Sequence, residues 1–283
     1  MIQSDIVIFC PFFGPMPSWY SLTLLSFLMN PSADFVLIGD RFPPCALKNV
    51  HIVPMNWNAF SVHVSKVFAT TLTWKASECR GFNCGRLSKT SDLRPFLGKL
   101  FSNYTQTARW WGWMDMDVVL GNVRAFLPMQ SVLCPVWPNR IHLLTWGPFT
   151  MFRTDTQIRA QHTARVTGGL TPFYLSSRWH DVLKSKRHHA FEELAFQCGG
   201  PRCELGLSNV LHKDECQHNR VPVSEIKRRA GWIDKSFSLT SNGLFVDEKH
   251  TLLLHFFKVK DWDFPESITA QDTTCKFNRN KSC

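Results

Sequence analysis

Two aspartates one residue apart are the residues of this chain best suited to chemistry. Asp115 and Asp117 follow an aromatic run at 110–113 and precede an apolar run at 118–120. Aspartate is a poor strand former and is seldom buried without a partner, so a pair at the end of a buried strand needs a positive group between its members. Mg²⁺ and Mn²⁺ prefer carboxylate oxygens and keep positions open for phosphate oxygens. The pair therefore predicts a divalent metal that holds a phosphorylated substrate.

The first 120 residues predict the framework that positions this pair. Apolar β-branched runs and helical spacing alternate along them. The predicted strands are 5–10, 34–40, 50–54 and 109–114, and the predicted helices are 18–29 with Ser18 as N-cap, 58–70, and 92–104 with Asp92 as N-cap. Close alternation of this kind is typical of a parallel α/β sheet, whose ligands bind beyond the carboxyl ends of the strands.

The second half of the chain is less regular. Apolar runs predict strands at 149–153 and 252–257, and helical spacing predicts helices at 155–166 and 188–198. Between 118 and 127 we expect a short connection and a helical turn. Residues 199–225 form a long region rich in Cys, His, Gly and Pro. Because no linker is visible, we expect a single domain over residues 1–283.

Composition limits the class of protein and its partners. The chain has 283 residues, 44% of them hydrophobic, which is typical of a globular protein with a sizeable core. A formal net charge of +10 suits anionic partners such as a phosphorylated substrate, an anionic membrane surface or nucleic acid. No apolar run approaches the roughly 20 residues that span a bilayer, and no secretory signal is visible.

The cysteines leave the redox state and the compartment open. Ten are present, which is many for a cytosolic enzyme. Disulfides in a lumenal enzyme, unpaired thiols and a zinc site are the three interpretations. The zinc interpretation would use Cys198, Cys203, His212, Cys216 and His218. The protein would be cytoplasmic or, if residues precede Met1, Golgi-lumenal.

Several segments together resemble a known family. They are 11–14 followed by Trp19, 89–98, 111–121 with the two aspartates, 147–153, and finally His255 with Lys258. Their order resembles the GT-A fold of glycosyltransferases that use nucleotide-sugar donors. It is closest to a poorly characterised GT-A-like group encoded near polysaccharide-synthesis genes.

The resemblance implies a GT-A-like, Rossmann-like α/β fold with a mixed, mostly parallel sheet flanked by helices. It implies a nucleotide-sugar-binding half at 1–125, a half at 126–265 that binds the acceptor and completes the metal site, and a tail at 266–283. These are parts of one domain.

The resemblance also assigns the metal centre. Asp115, Asp117 and His255 would hold Mn²⁺ or Mg²⁺, which bridges the diphosphate of the donor. Asp117 would be the direct ligand, while Asp115 would contact the ribose or bind through water. Lys258 would reach a phosphate oxygen. A histidine on an apolar strand can also be a satisfied core residue, so this alternative for His255 stays open.

Further residues are assigned to the donor and to catalysis. Phe12, Phe13 and Gly14 would lie against the nucleoside, and three polar residues would contact its base or ribose. These three are Asp40, Lys89 and Asp92. Asp40 can equally be a turn residue and Asp92 a helix cap. Glu193 or Glu192, on the predicted helix 188–198, would be the general base if the enzyme inverts, and a solvated acidic helix face is the alternative.

Two functions follow as hypotheses. The first is a metal-dependent glycosyltransferase that moves a sugar from a nucleotide-sugar donor to a hydroxyl of a glycan, lipid or protein. The alternative is a non-catalytic protein on the same scaffold that binds sugars or nucleotides through a Trp-rich pocket. No motif supports nucleic acid as a partner.

Overall fold

The fold is described from a computed structural model. The structure describes residues 4–17, 19–69, 72, 90, 93–127, 132–136, 149–153, 157–159, 165–167, 220–225, 228–229, 232–233, 237–240 and 242–255. For residues 95, 132–136, 152–153, 157–159, 165–167, 220–233, 253 and 255, within these ranges, the description is confined to the backbone. Lys89, Asp92, Glu192, Glu193, Lys258 and the predicted zinc residues lie outside the described residues.

Strands are the commonest elements of the described chain. They are β1 Ile6–Pro11, β2 Asp34–Gly39, β3 Val50–Pro54, β4 Trp110–Met114, β5 Val118–Leu120, β6 Val132–Val136, β7 Phe149–Arg153, β8 Gln157–Arg159, β9 Arg165–Thr167, β10 Arg220–Glu225, β11 Arg228–Arg229, β12 Trp232–Ile233, β13 Phe237–Thr240, β14 Gly243–Val246, β15 Lys249–Thr251 and β16 Leu253–His255.

Helices connect the early strands. They are α1 Tyr20–Leu28, α2 Trp57–Phe68, the 3₁₀ helix Arg94–Phe96, α3 Leu97–Leu100, α4 Ser102–Thr105 and α5 Val123–Phe126. Asn56 caps α2 by accepting a hydrogen bond from the Ala59 amide at 2.8 Å. Among the described residues, no helix has the length and apolarity to cross a membrane.

Nine strands pair in the order β3-β2-β1-β4-β7-β6-β10-β16-β5. The first five form a mostly parallel sheet in which only β7 runs antiparallel to its neighbour. Further along, β6, β10 and β16 are parallel to one another and β5 is antiparallel. The mixed α/β architecture with a mostly parallel sheet is confirmed.

Successive side chains of β1 point to opposite faces of the sheet and belong to two different hydrophobic clusters. Val7 and Phe9 face α2, with Phe60 and Trp111 in the same buried cluster. Ile6, Ile8 and Cys10 belong to a second cluster that contains Phe27 of α1 and Phe35 of β2. Each fully buried side chain of this size contributes about 1.5–3 kcal/mol to folding. Helices therefore flank the sheet on both faces.

The parallel strands place all their carboxyl ends at one side of the sheet. We call this side the carboxyl edge, defined by Pro11, Gly39, Met114, Glu225 and His255, the last residues of β1, β2, β4, β10 and β16. The opposite side, where β1 and β2 begin, is the amino edge, defined by Ser4, Asp34 and Asn49. Since β5 is antiparallel to β16, its first residue, Val118, lies at the carboxyl edge.

The sheet must curl strongly around the two aspartates. Five strand spacings separate β4 from β5 in the sheet order, which is about 24 Å in a flat sheet with strands about 4.8 Å apart. The chain from Met114 to Val118 can reach at most about 14 Å when fully extended. The segment 115–117 therefore joins β4, an interior strand, to β5 at one end of the sheet, and the strands between them curve to allow it.

The predicted strands and the first two predicted helices are confirmed. β1, β2, β3, β4, β7, β16, α1 and α2 lie within a few residues of their predicted bounds. All are buried runs or amphipathic segments whose pattern is local, which is why periodicity identifies them.

Four predictions on local structure were wrong. The N-cap of α1 is Trp19 rather than Ser18, and no side chain caps the helix. Val118–Leu120, predicted as a connection, is a strand because β16 pairs with it, whereas the helical turn predicted after it is present as α5. The predicted helix 92–104 is broken into the three short helical pieces between Arg94 and Thr105, and its predicted N-cap Asp92 lies outside the described residues.

The fourth error concerns the second half. The predicted helix 155–166 contains β8 and the start of β9, which pair antiparallel with Ile158 opposite Val166. β-branched residues favour such cross-strand pairs. Residues 220–225, at the end of the region left irregular, form β10 inside the nine-stranded sheet.

Candidate functional site

The two aspartates lie at the carboxyl edge, between β4 and β5. Asp115 follows the last residue of β4, and Asp117 precedes the first residue of β5. Both side chains are half-buried, whereas Met116 between them is buried. β1 and β4 are the strands at which the order 3-2-1-4 changes direction along the chain, and ligands of open α/β sheets bind in the crevice at such a switch point.

Helix α1 fixes the backbone between the aspartates. The carbonyl oxygen of Met116 accepts hydrogen bonds from the Trp19 indole at 2.9 Å and from the Thr23 hydroxyl at 3.2 Å. Both interactions are buried, where a lost partner leaves a costly unsatisfied group. These bonds fix the position of the Met116 backbone, which lies between the two residues that carry the carboxylates.

A guanidinium contacts the first aspartate. Nη2 of Arg94 lies 2.5 Å from Oδ1 of Asp115, and the two side chains are 11% and 26% exposed. The positive group that the aspartates were expected to need is therefore supplied, for Asp115, by the protein itself. Sequence reasoning missed this role of Arg94 because the pairing spans twenty-one residues and depends on where a 3₁₀ helix begins.

The second aspartate, Asp117, has a buried carboxylate oxygen. Its Oδ1 atom is buried and makes no hydrogen bond, although the residue has other interactions and its charge acts on Cys10. Carboxylate oxygens at the end of a strand are the ligands that Mn²⁺ and Mg²⁺ accept, with phosphate oxygens completing the shell. The donor set of this turn therefore fits the metal that the sequence predicts.

The thiol of Cys10 lies near both aspartates at the end of β1. Complete burial raises the pKa of Cys10 well above its ordinary value of 9.0; Asp115 and Asp117 raise it further, and Arg94 lowers it in part. The thiol is therefore neutral at physiological pH and is not an activated nucleophile. Cys10 is therefore an uncharged neighbour of the two carboxylates.

The structure brings the predicted third ligand to the same edge. In the antiparallel pairing of β16 with β5, His255 is opposite Val118, the residue after Asp117. Directly opposite residues of such a pair have Cα atoms about 4.5–5.5 Å apart. The backbone of His255 therefore lies beside the second aspartate.

One further acidic residue lies at the carboxyl edge next to His255 along the sheet. Glu225, the last residue of β10, is in register with His255. Sequence reasoning missed Glu225 because residues 199–225 showed no strand pattern. Among the described residues, no group of three or more His, Cys, Asp or Glu side chains is placed to bind one metal ion.

The predicted nucleoside loop divides into buried and accessible parts. Phe13 is 5% exposed and packs against Trp57 and Phe60, with ring centroids 5.4 and 5.1 Å away, so it anchors the loop in the core. Phe12 and Gly14 are half-buried. Asp40 follows β2 and is exposed at the carboxyl edge.

Gly39, the last residue of β2, allows the loop after β1 to pass close to the end of β2. A Cβ on Gly39 would collide with the carbonyl oxygen of Phe12. The Phe12 amide in turn donates to the Ile38 carbonyl oxygen at 2.8 Å. The loop and β2 therefore approach more closely than any side chain at position 39 would permit.

A Trp-rich surface is not present in the described part of the site. The five tryptophans whose side chains are described are all at most 8% exposed, and they are Trp19, Trp57, Trp110, Trp111 and Trp113. Here tryptophan builds the core and holds the aspartate turn.

A cleft at the amino edge is a weaker candidate for the site. Its volume is about 810 Å³, and Asp5, Asp34 and Arg124 contribute to its lining. Its carboxylates are paired within the protein, Asp34 with His51 at 2.7 Å and Asp5 with Arg124. These pairs stabilise the start of the sheet.

Comparison with known proteins gives a family. A family model described as "Family of unknown function (DUF6625)" matches residues 8–263, which include most of β1, the aspartate turn and β16. A search of the curated proteins finds no match to this chain.

Proposed function

The chain belongs to this family of unknown function (DUF6625), and we propose that it is a metal-dependent glycosyltransferase of the GT-A type. It would transfer a sugar from a nucleotide-sugar donor to a hydroxyl of a glycan, lipid or protein. The observation that carries this proposal is the position of Asp115 and Asp117 at the switch point of the sheet, with the backbone of His255 beside them.

Three features of the fold support a nucleotide ligand. The order β3-β2-β1-β4 is that of a mononucleotide-binding α/β half, and its crevice opens at the carboxyl edge. The loop after β1 and the exposed Asp40 after β2 border this crevice. The basic balance of the chain favours an anionic donor.

Each residue of the edge would have a defined role. Asp117 would bind Mn²⁺ or Mg²⁺ directly, with His255 as the additional ligand, and Asp115 would bind the ribose or a metal-bound water. The metal would neutralise the charge that develops as the nucleoside diphosphate leaves. Lys258 would contact a phosphate oxygen, and Glu193 or Glu192 would accept the proton of the acceptor hydroxyl, all by resemblance.

The proposal is tested by donor binding followed by turnover. We expect a nucleoside diphosphate from a panel of bases to bind in calorimetry only when Mn²⁺ is present. We expect one nucleotide sugar to be hydrolysed or transferred. Asp117→Asn should lower turnover by about a hundredfold or more, since the variant removes the charge that holds the metal.

A matched control lies at the opposite edge. Asp5→Asn changes a carboxylate that pairs with Arg124 and should leave binding and turnover unchanged. Full turnover of Asp117→Asn in chelator-treated buffer would contradict the metal role. Metal-dependent binding without turnover of any donor would favour the alternative, a non-catalytic nucleotide- or sugar-binding protein.

A further inference from the structure

Arg94 contacts one of the two carboxylate oxygens that Asp115 could offer to a metal ion. Its guanidinium contacts Asp115 with a separation of 2.5 Å, and it is only 11% exposed. The residue opens the 3₁₀ helix Arg94–Phe96, which is anchored by the burial of Phe96 and of the following Leu97 in the core. Arg94 is therefore held at the site by the fold and is not a surface residue that happens to reach it.

The charges of the turn limit what a metal can gain there. Asp115 and Asp117 carry two negative charges, and Arg94 neutralises one of them. The affinity of an oxygen site for a hard divalent cation rises with the number of carboxylates that it can use. A cation that takes Oδ1 of Asp115 must displace the guanidinium from that oxygen, and another anion would offset the loss of this contact because the guanidinium is nearly buried.

A diphosphate is the group that can compensate Arg94. Arginine forms paired, charge-assisted hydrogen bonds with phosphate oxygens as well as with carboxylates. The same diphosphate would supply oxygen ligands to the metal. A single ligand can therefore satisfy the guanidinium that leaves Asp115 and the ion that replaces it.

We infer that Arg94 is a positioning residue that exchanges partners when the donor binds. This inference rests on the proposed function. Without a nucleotide, Arg94 pairs with Asp115 and keeps the site weak for metal. When a metal and a diphosphate enter together, Arg94 moves to a diphosphate oxygen and Asp115 becomes available to the metal shell or the ribose. Metal and diphosphate then raise each other's affinity by the same factor.

The test measures metal affinity rather than activity. Mn²⁺ binding is titrated by electron paramagnetic resonance or calorimetry, first alone and then with each of a panel of nucleoside diphosphates. For the native protein we expect weak binding of Mn²⁺ alone and at least a tenfold gain when the preferred nucleoside diphosphate is present. Arg94→Gln should bind Mn²⁺ alone about tenfold more tightly and should lose most of the gain.

Two further variants keep the result interpretable. Arg124→Gln removes the arginine that pairs with an aspartate at the amino edge, and it should behave as the native protein. Arg94→Lys preserves the positive charge beside Asp115. We expect it to keep weak binding of Mn²⁺ alone but to show a smaller gain with the diphosphate, because lysine is a point charge without the paired donors of arginine.

The possible outcomes distinguish the partner exchange of Arg94 from the proposed function. If Arg94→Gln binds Mn²⁺ as the native protein does, with the same gain, the exchange is refuted while the proposed function stands. If Arg94→Gln does not fold, an unchanged gain in Arg94→Lys refutes the exchange. If the native protein binds no nucleoside diphosphate with Mn²⁺, the proposed function itself fails, and the exchange with it.

Discussion

The two edges of the sheet use the same kinds of residues in opposite ways. At the amino edge, Asp34 accepts a hydrogen bond from the Ser4 amide at 2.8 Å and contacts His51, while Asn30 and Asn49 hydrogen bond to several backbone groups. At the carboxyl edge lie the buried thiol of Cys10 and the hydroxyl of Tyr20, which is buried and makes no hydrogen bond.

The difference distinguishes a structural edge from a site. Buried polar groups in native proteins are nearly always hydrogen-bonded, and exceptions concentrate where a ligand or a reaction needs them. Within the described residues, the two buried side-chain oxygens that make no hydrogen bond belong to Tyr20 and Asp117, both at the carboxyl edge. The polar side chains described at the amino edge are hydrogen-bonded, whereas two buried oxygens at the carboxyl edge lack a hydrogen bond, which lowers the stability of the fold there.

The largest effect is expected at Asn30, which is the centre of the amino-edge network. Its amide donates to the Ser26 and Gly121 carbonyl oxygens at 2.8 and 2.7 Å, and its oxygen accepts from the Val123 amide at 2.8 Å. Asn30→Ala should lower the free energy of unfolding by about 3 kcal/mol, because three buried groups lose their partner. Urea denaturation would measure it. A loss below about 1 kcal/mol would contradict a structural role for this edge.

A pH-dependent effect is expected at Cys10. Its pKa is raised in the folded protein, so above pH 9 the unfolded chain loses a proton that the folded chain keeps. The contribution is present below pH 9 and is lost as the pH rises, by up to about 1.4 kcal/mol per pH unit. Cys10→Ala lacks this loss, so its deficit relative to the native protein should shrink between pH 8 and pH 10. A constant deficit across urea titrations would show that the thiol is not held neutral.

The smallest effect, and one of opposite sign, is expected at Tyr20. Burial raises the pKa of its hydroxyl, with the nearby Cys45 and Cys10 adding to the shift. Tyr20→Phe removes a hydroxyl that has no hydrogen-bond partner, so it should stabilise the free protein by about 1 kcal/mol. Thermal unfolding would detect it. A destabilised variant would mean that the two edges do not differ in the way described above.

The features of this fold that the sequence predicts are those formed by residues close together in the chain. β1 to β4 follow from local apolar runs, and the position of the aspartate pair follows from β4. The pairing of β5 with β16 and the contact of Arg94 with Asp115 join distant segments, and no local pattern encodes them. For the same reason Glu225 was missed, since its strand becomes evident only through its partners β6 and β16.

The cysteine question is answered in part by the described residues. Cys10 is a buried free thiol and Cys45 is a half-buried free thiol. The remaining side chains that the disulfide and zinc interpretations involve lie outside the described side chains. The two thiols near the carboxyl edge are thus consistent with the unpaired interpretation for this part of the molecule.

The pairing of β5 with β16 also constrains how the protein is made. Val118 and His255 are directly opposite each other, yet nearly half of the chain is synthesised between them. Closing so long a loop is entropically costly, and contacts of high sequence separation form slowly. The first 115 residues can collapse on β1 to β4 early during translation, with the aspartates already at a strand end. The backbone of His255 arrives beside them only when β16 has left the ribosome, so this part of the carboxyl edge is completed among the last steps of folding.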